Sequence, residues 1–101
     1  MDTTAGARAA GETLQVRFWA SARAAAGTDR ADVALDGPIT LAELVDRLVD
    51  AATSEAEARQ LAQVLGVCSV LVGEQPHGRN DRDVVVHPGD AVEFLPPFAG
   101  G

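Results

Sequence analysis

His87-Pro88-Gly89-Asp90-Ala91-Val92-Glu93-Phe94-Leu95-Pro96-Pro97-Phe98-Ala99-Gly100-Gly101 reads as a turn, a strand and a stalk. Pro88 and Gly89 hold the positions that a type II turn requires, with proline first and glycine second. Ala91 to Leu95 then reads as the final strand, with Val92 and Phe94 on one face. Pro96 and Pro97 each fix their own φ and push the preceding residue toward extended geometry. Gly100 and Gly101 carry no side chains to obstruct a narrow channel. Six extended residues reach roughly 20 Å at most. Residues 96–101 are therefore expected to form a stalk with a minimal tip that enters a partner's active site while the body stays outside. With the sequence ending at Gly101, the reacting group is expected to be a glycine carboxylate.

Upstream, Leu14-Gln15-Val16-Arg17-Phe18-Trp19 alternates and predicts a half-buried strand. Ser21 to Gly27 suits a helical turn ended by glycine. Ala31, Val33 and Leu35 alternate again, and Asp36-Gly37-Pro38 breaks the chain. Thr40 and Glu43 have capping-box spacing, followed by Leu41, Leu44, Val45, Leu48 and Val49 at helical intervals. Ser54 and Glu57 repeat the signal for a shorter helix stopping at Gly66. Val67 to Val72 predicts a third strand, residues 73–78 a turn, and Asp83 to Val86 a short strand. Two strands, helices and further strands give an α+β domain with helices over one sheet face. The expected organisation is a disordered leader over 1–13, a domain over 14–95 and a tail over 96–101.

Composition narrows the function. The chain has 101 residues, a formal net charge of −7 and no lysine; its eight basic residues are all arginine. An acidic surface repels phosphate backbones, which argues against nucleic acid and for a partner with a basic face. The lone Cys68 fits a reducing, cytoplasmic setting, and no apolar run is long enough to span a membrane. Cys68 reads as core. His77 and His87 lack ligand spacing, so no metal site is expected, and Asp81, Arg82 and Asp83 read as a solvated loop. No self-contained catalytic constellation is legible. Trp19 and Leu95 fall on the strand faces opposite the core residues, with Pro76 at their border. Together they predict a partner-docking patch.

The opening strand, the alanine-rich turn to Gly27-Thr28 and the closing stretch from His87 to Gly101 resemble the MoaD/ThiS sulfur-carrier family of ubiquitin-like β-grasp domains. Within that family the likeness is greatest to the molybdopterin synthase small-subunit branch. The resemblance implies a β-grasp fold: a mixed sheet, helices on one face and a Gly-Gly tail. It also implies a mechanism. A carboxylate with a pKa of roughly 3.5 is an anion at neutral pH and a poor electrophile. An E1-like activating enzyme, using ATP and Mg, adenylates Gly101, and sulfur from a persulfide displaces AMP to leave a thiocarboxylate. The tail, Pro96 to Gly101, then enters the large synthase subunit, expected in a heterotetramer, and delivers sulfur to the cyclic pyranopterin precursor. On this reading the chain binds no cofactor and supplies sulfur rather than catalytic side chains. The alternatives are a carrier for thiamine, cysteine or tRNA thiolation, or a ubiquitin-like protein modifier. Two positions depart from the family: Gly73 stands where asparagine is frequent, and Phe98 where a smaller aliphatic residue is common.

Overall fold

The computed structural model describes residues 13–97. Residues 1–12 of the expected leader and the tail residues Phe98, Ala99, Gly100 and Gly101 lie outside the described residues, while Thr13, expected to end the leader, is the first residue of β1, paired with Ala34. In chain order the elements are β1 (Thr13–Phe18), α1 (Ala20–Ala26), β2 (Arg30–Ala34), β3 (Ile39–Thr40), α2 (Leu41–Asp50), α3 (Glu55–Gly66), β4 (Ser69–Val72), β5 (Gln75–His77), β6 (Val85–Val86) and β7 (Ala91–Leu95). Five strands form one sheet in the order β2-β1-β7-β4-β5, and β3 pairs with β6 in a small separate ribbon. The first and last strands lie side by side at the centre and run parallel, whereas every other pairing in the sheet is antiparallel. This is the mixed-sheet, α+β β-grasp architecture expected.

One sheet face carries the core. Leu14, Val16 and Phe18 of β1 meet Val92 and Phe94 of β7 and Val70 of β4. Leu41, Leu44 and Leu48 of α2 and Leu61 and Leu65 of α3 close over them. The periodicity that predicted α2 thus corresponds to its buried stripe.

The caps explain where the helices begin. The Glu43 N–H donates to Thr40 Oγ1 at 3.1 Å and the Thr40 N–H donates to Glu43 Oε1 at 2.9 Å, a complete capping box. These bonds to Thr40 hold the Glu43 carboxyl below its ordinary pKa of 4.5. The carboxylate's contribution is therefore present above pH 4.5 and is lost as the pH falls through the depressed folded-state value. Thr40→Ala is expected to cost about 1 kcal/mol at pH 7, with a smaller cost in acid where Glu43 is protonated. Denaturant titrations at the two pH values check this. The second box is half formed: the Glu57 N–H donates to Ser54 Oγ, but the Glu57 carboxylate accepts from the Thr53 hydroxyl instead.

The type II turn forms as expected: Gly89 has φ 92° and the Asp90 N–H donates to the His87 carbonyl at 3.0 Å. Gly89 also donates to the Thr13 carbonyl at 2.7 Å, fastening this turn to the start of β1. Gly27 ends α1 in the left-handed region, φ 77°, with its N–H on the Arg23 carbonyl. Gly73 has φ 63° in the two-residue loop between β4 and β5. Asparagine tolerates that region better than most residues, so the departure from the family preserves the turn.

Four expectations need correction. Strand β4 starts at Ser69 rather than Val67, because the N–H groups of Val67 and Cys68 are used on the carbonyls of Val64 and Leu65 at the end of α3. Residues 75–77, expected to be turn, form β5, whose edge position tolerates Pro76. The expected strand over Asp83–Val86 shortens to Val85–Val86, as the carbonyls of Val84 and Arg82 accept from Leu41 and Ala42 at the start of α2. Arg82 is not simply part of a solvated loop. Its half-buried guanidinium donates Nη2–H to the Leu65 carbonyl at 2.8 Å, near the C-terminus of α3, and to the Cys68 carbonyl at 3.2 Å, just beyond it, tying the loop to the end of the helix.

Candidate functional site

The sheet face away from the helices is built by strand alternation and register. Arg30 of β2, Arg17 of β1, Glu93 of β7, Leu71 of β4 and Pro76 of β5 lie opposite one another in one row. Leu95 and Ser69 form the next row, and Trp19 follows β1 beside them, its N–H bonded to the Phe94 carbonyl at 3.2 Å. Trp19 is 41% exposed although it is the largest side chain in the protein. Leu71 and Leu95 are half-buried, and Pro76 is exposed.

Trp19 is held in place. Its indole N–H donates to Glu93 Oε1 at 2.8 Å, and the Arg17 guanidinium lies 4.9 Å from the ring centroid. The indole is therefore clamped by a hydrogen bond on its edge and a cation–π contact. Ala20, the next residue, has φ 48°, which a non-glycine residue adopts only at some cost. That backbone turn at the first residue of α1 sets the helix off from the extended Trp19.

The expected docking residues Trp19 and Leu95 thus come together, and Pro76 borders them across Leu71. Strand alternation already puts Arg17 on the face of Trp19, but not its contact with the ring; Glu93 and Leu71 were missed. The alternation of Ala91 to Leu95 places Glu93 with Leu95, but its bond to Trp19 depends on the parallel β1–β7 register. Leu71 sits within the unbroken run Ser69-Val70-Leu71-Val72, where hydropathy alone does not distinguish the two faces.

The tail is rooted at the same place. Pro96 is half-buried and Pro97 exposed. Because β7 runs parallel to β1, the chain leaves the sheet at the end where Trp19 follows β1. Phe98 to Gly101, the residues with the expected chemistry, lie beyond the described residues.

The remaining candidates are structural. Cys68 is buried, its thiol donates to the Val64 carbonyl at 3.3 Å, and burial pushes its pKa up to about 11 despite the nearby Arg82. Burial thus keeps it protonated at neutral pH, as expected of a core thiol. His77 lies near Asp81 and His87 near Asp90, as separate local pairs. Among the described residues no group of three His, Cys, Asp or Glu side chains could hold a metal ion, and no helix is long and apolar enough to cross a membrane.

Residues 16–101 match the ThiS family. A molybdopterin synthase sulfur carrier subunit of Aspergillus niger is 33% identical over 92 residues, covering 88% of this chain and 94% of that one. Small archaeal modifier protein 1 of Haloferax volcanii superposes with a TM-score of 0.64 at 21% identity, over 87% of this chain and 100% of the other. The HVO 2177 protein of the same organism gives a TM-score of 0.63 at 27% identity, over 89% of this chain and 87% of its own.

Proposed function

The chain belongs to the ThiS family, and from that premise we propose that it is the sulfur-carrier small subunit of a molybdopterin synthase. The observation that carries the reading is the family match running through to Gly101, together with the identity to the Aspergillus niger subunit. Gly101 is the reacting residue. Adenylation by an E1-like enzyme with ATP and Mg converts its carboxylate into a mixed anhydride with AMP as leaving group. The terminal sulfur of a persulfide displaces AMP to give an acyl disulfide; a second thiolate then attacks the donor's sulfur, forming a disulfide with it and releasing the thiocarboxylate on Gly101. The tail from Pro96 then carries this sulfur into the large subunit, where it is delivered to the cyclic pyranopterin precursor. The burial of Cys68 is consistent with this division of labour, in which the sulfur is supplied from outside this chain.

The experiment is intact-mass analysis after incubation with a sulfur-carrier activating enzyme, ATP and a persulfide donor, followed by addition of a large synthase subunit and the precursor. One oxygen of the C-terminal carboxylate should be replaced by sulfur, and dithiolene should form only in the complete mixture. A thiocarboxylate that serves thiazole or tRNA thiolation instead would reassign the pathway. Isopeptide adducts without sulfur transfer would favour the modifier reading.

The outer face is the proposed docking surface for both partners, with Trp19 and Leu95 as anchors beside the root of the tail and Pro76 at the border. Trp19→Ala is expected to weaken partner binding by about 2 kcal/mol or more, roughly 30-fold in Kd. Leu95→Ala should weaken it to a lesser degree. Calorimetric titration against the large subunit, with thermal melts of each variant, checks this. Unchanged affinity per folded molecule would place the interface elsewhere.

A further inference from the structure

A second surface lies on the opposite side of the molecule, where α1 and α2 leave an apolar groove beside β2. The groove has a volume of about 230 Å³ and is lined chiefly by small residues, among them Ala26, Ala31, Ala51 and Ala52, with Leu48 at its floor and Glu57 at its rim. Strand β2 is the edge of the five-stranded sheet, and its far side carries no strand. The register fixes which backbone groups face that side. The Phe18 N–H donates to the Asp29 carbonyl at 3.0 Å, so the backbone groups of Asp29, Ala31 and Val33 point toward β1. Those of Arg30, Asp32 and Ala34 point outward.

Most of these outward groups are already covered. The Thr28 hydroxyl donates to the Arg30 carbonyl at 3.0 Å and accepts from the Arg30 N–H at 3.4 Å. Arg47 of α2 donates to the Ala34 carbonyl at 3.0 Å. Among the described residues the N–H and C=O of Asp32 and the N–H of Ala34 remain open. A protected edge with one opening at its centre differs from an edge blunted along its whole length. The opening lies next to the groove. Arg47 reaches Ala34 from α2, and Ala51, one turn further along the chain, joins Ala31 in lining the cavity.

We propose that this edge and groove bind an extended peptide segment of a partner protein, which adds as a strand opposite Asp32. Main-chain bonds to Asp32 would supply register, and alternate side chains would supply specificity. A residue opposite Asp32 projects its side chain on the same face as the exposed Asp32 carboxylate, so a lysine or arginine belongs there. Its neighbours, opposite Ala31 and Val33, project toward the groove side and must be apolar. The recognised pattern is apolar-basic-apolar. A second copy of this chain does not fit. Two-fold antiparallel pairing of β2 about the open residue would set Asp32 against Asp32, and like charges directly opposite are destabilising. The net charge of −7 on each copy adds to that repulsion. The site lies along the β2 edge, at the opposite end of the strand order from β4 and β5; only the basic side chain opposite Asp32 reaches the outer sheet face, on the side of Arg30 rather than of Leu71.

The probe is a synthetic peptide, Thr-Val-Lys-Val-Thr with blocked ends, titrated at millimolar concentration into the isotopically labelled full chain. The amide resonances of Asp32, Ala34, Ala51 and Ala52 are expected to shift, with slowed hydrogen exchange at Asp32 and Ala34. The same peptide with glutamate in place of lysine should bind about fivefold more weakly. Asp32→Lys, at an exposed position, should reverse that preference while leaving the melting temperature near that of the parent. No shifts at these residues, shifts confined to the face of Trp19 and Leu71, or affinities indifferent to the charge at residue 32 would each overturn the proposal.

Discussion

Deletion of Gly101 is expected to give a protein that folds like the parent and transfers no sulfur. The folding half follows from the core, whose buried residues among those described run from Leu14 to Phe94. The activity half follows from geometry. On the proposed mechanism the acyl carbon must reach the adenylating phosphate in one enzyme and the pterin precursor in another. Removing one extended residue withdraws it by about 3.5 Å, and a misplacement of even 1 Å can cost about 100-fold. The new terminus would also place Gly100 where Gly101 reacts, with Ala99 and its methyl group in the narrow segment behind it. Melting temperature and intact mass after activation separate the two halves. Normal sulfur transfer by the truncated chain would falsify the proposed role of Gly101. A large loss of stability would show that the tail contributes to folding.

The parts of the fold that were legible are those encoded locally. Thr40 and Glu43 announce α2 because the cap bonds involve residues three apart. Pro88 and Gly89 announce their turn for the same reason. The illegible parts depend on residues distant in the chain. Arg82 looks like loop until the end of α3, some seventeen positions away, is brought beside it. The hairpin strand β5 has almost no apolar signal of its own and exists because β4 offers it a ladder. The docking face shows the same division. Trp19 and Leu95 were legible from alternation within single strands. The clamp on Trp19 by Glu93 was not, because that bond spans 74 positions and requires the first and last strands to lie side by side.

Phe94→Ala is expected to destabilise the domain by about 3–5 kcal/mol, a large fraction of the 5–15 kcal/mol or so that holds a typical domain together. Phe94 is fully buried in the central strand β7, between Phe18 of β1 and Val70 of β4. Its ring stacks on Phe18 with centroids 6.1 Å apart and planes inclined by 15°, so truncation removes an aromatic pair as well as apolar burial. Rigid strands on both sides limit how far the hole can collapse. A fall in melting temperature of about 15 °C or more is expected for a domain of this size. Phe94→Leu, which keeps most of the volume, should cost distinctly less. Trp19 is the necessary contrast, since it lies at the same end of the sheet on the other face. Its truncation should lower the melting temperature only slightly while weakening partner binding, whereas Phe94→Ala should lose stability with affinity per folded molecule retained. Phe94 also stands two residues before Pro96, so the same ring that anchors the core fixes the direction in which the tail leaves. If the two variants exchanged phenotypes, with Trp19→Ala unfolding the domain and Phe94→Ala melting near the parent, the assignment of core and docking faces would be inverted.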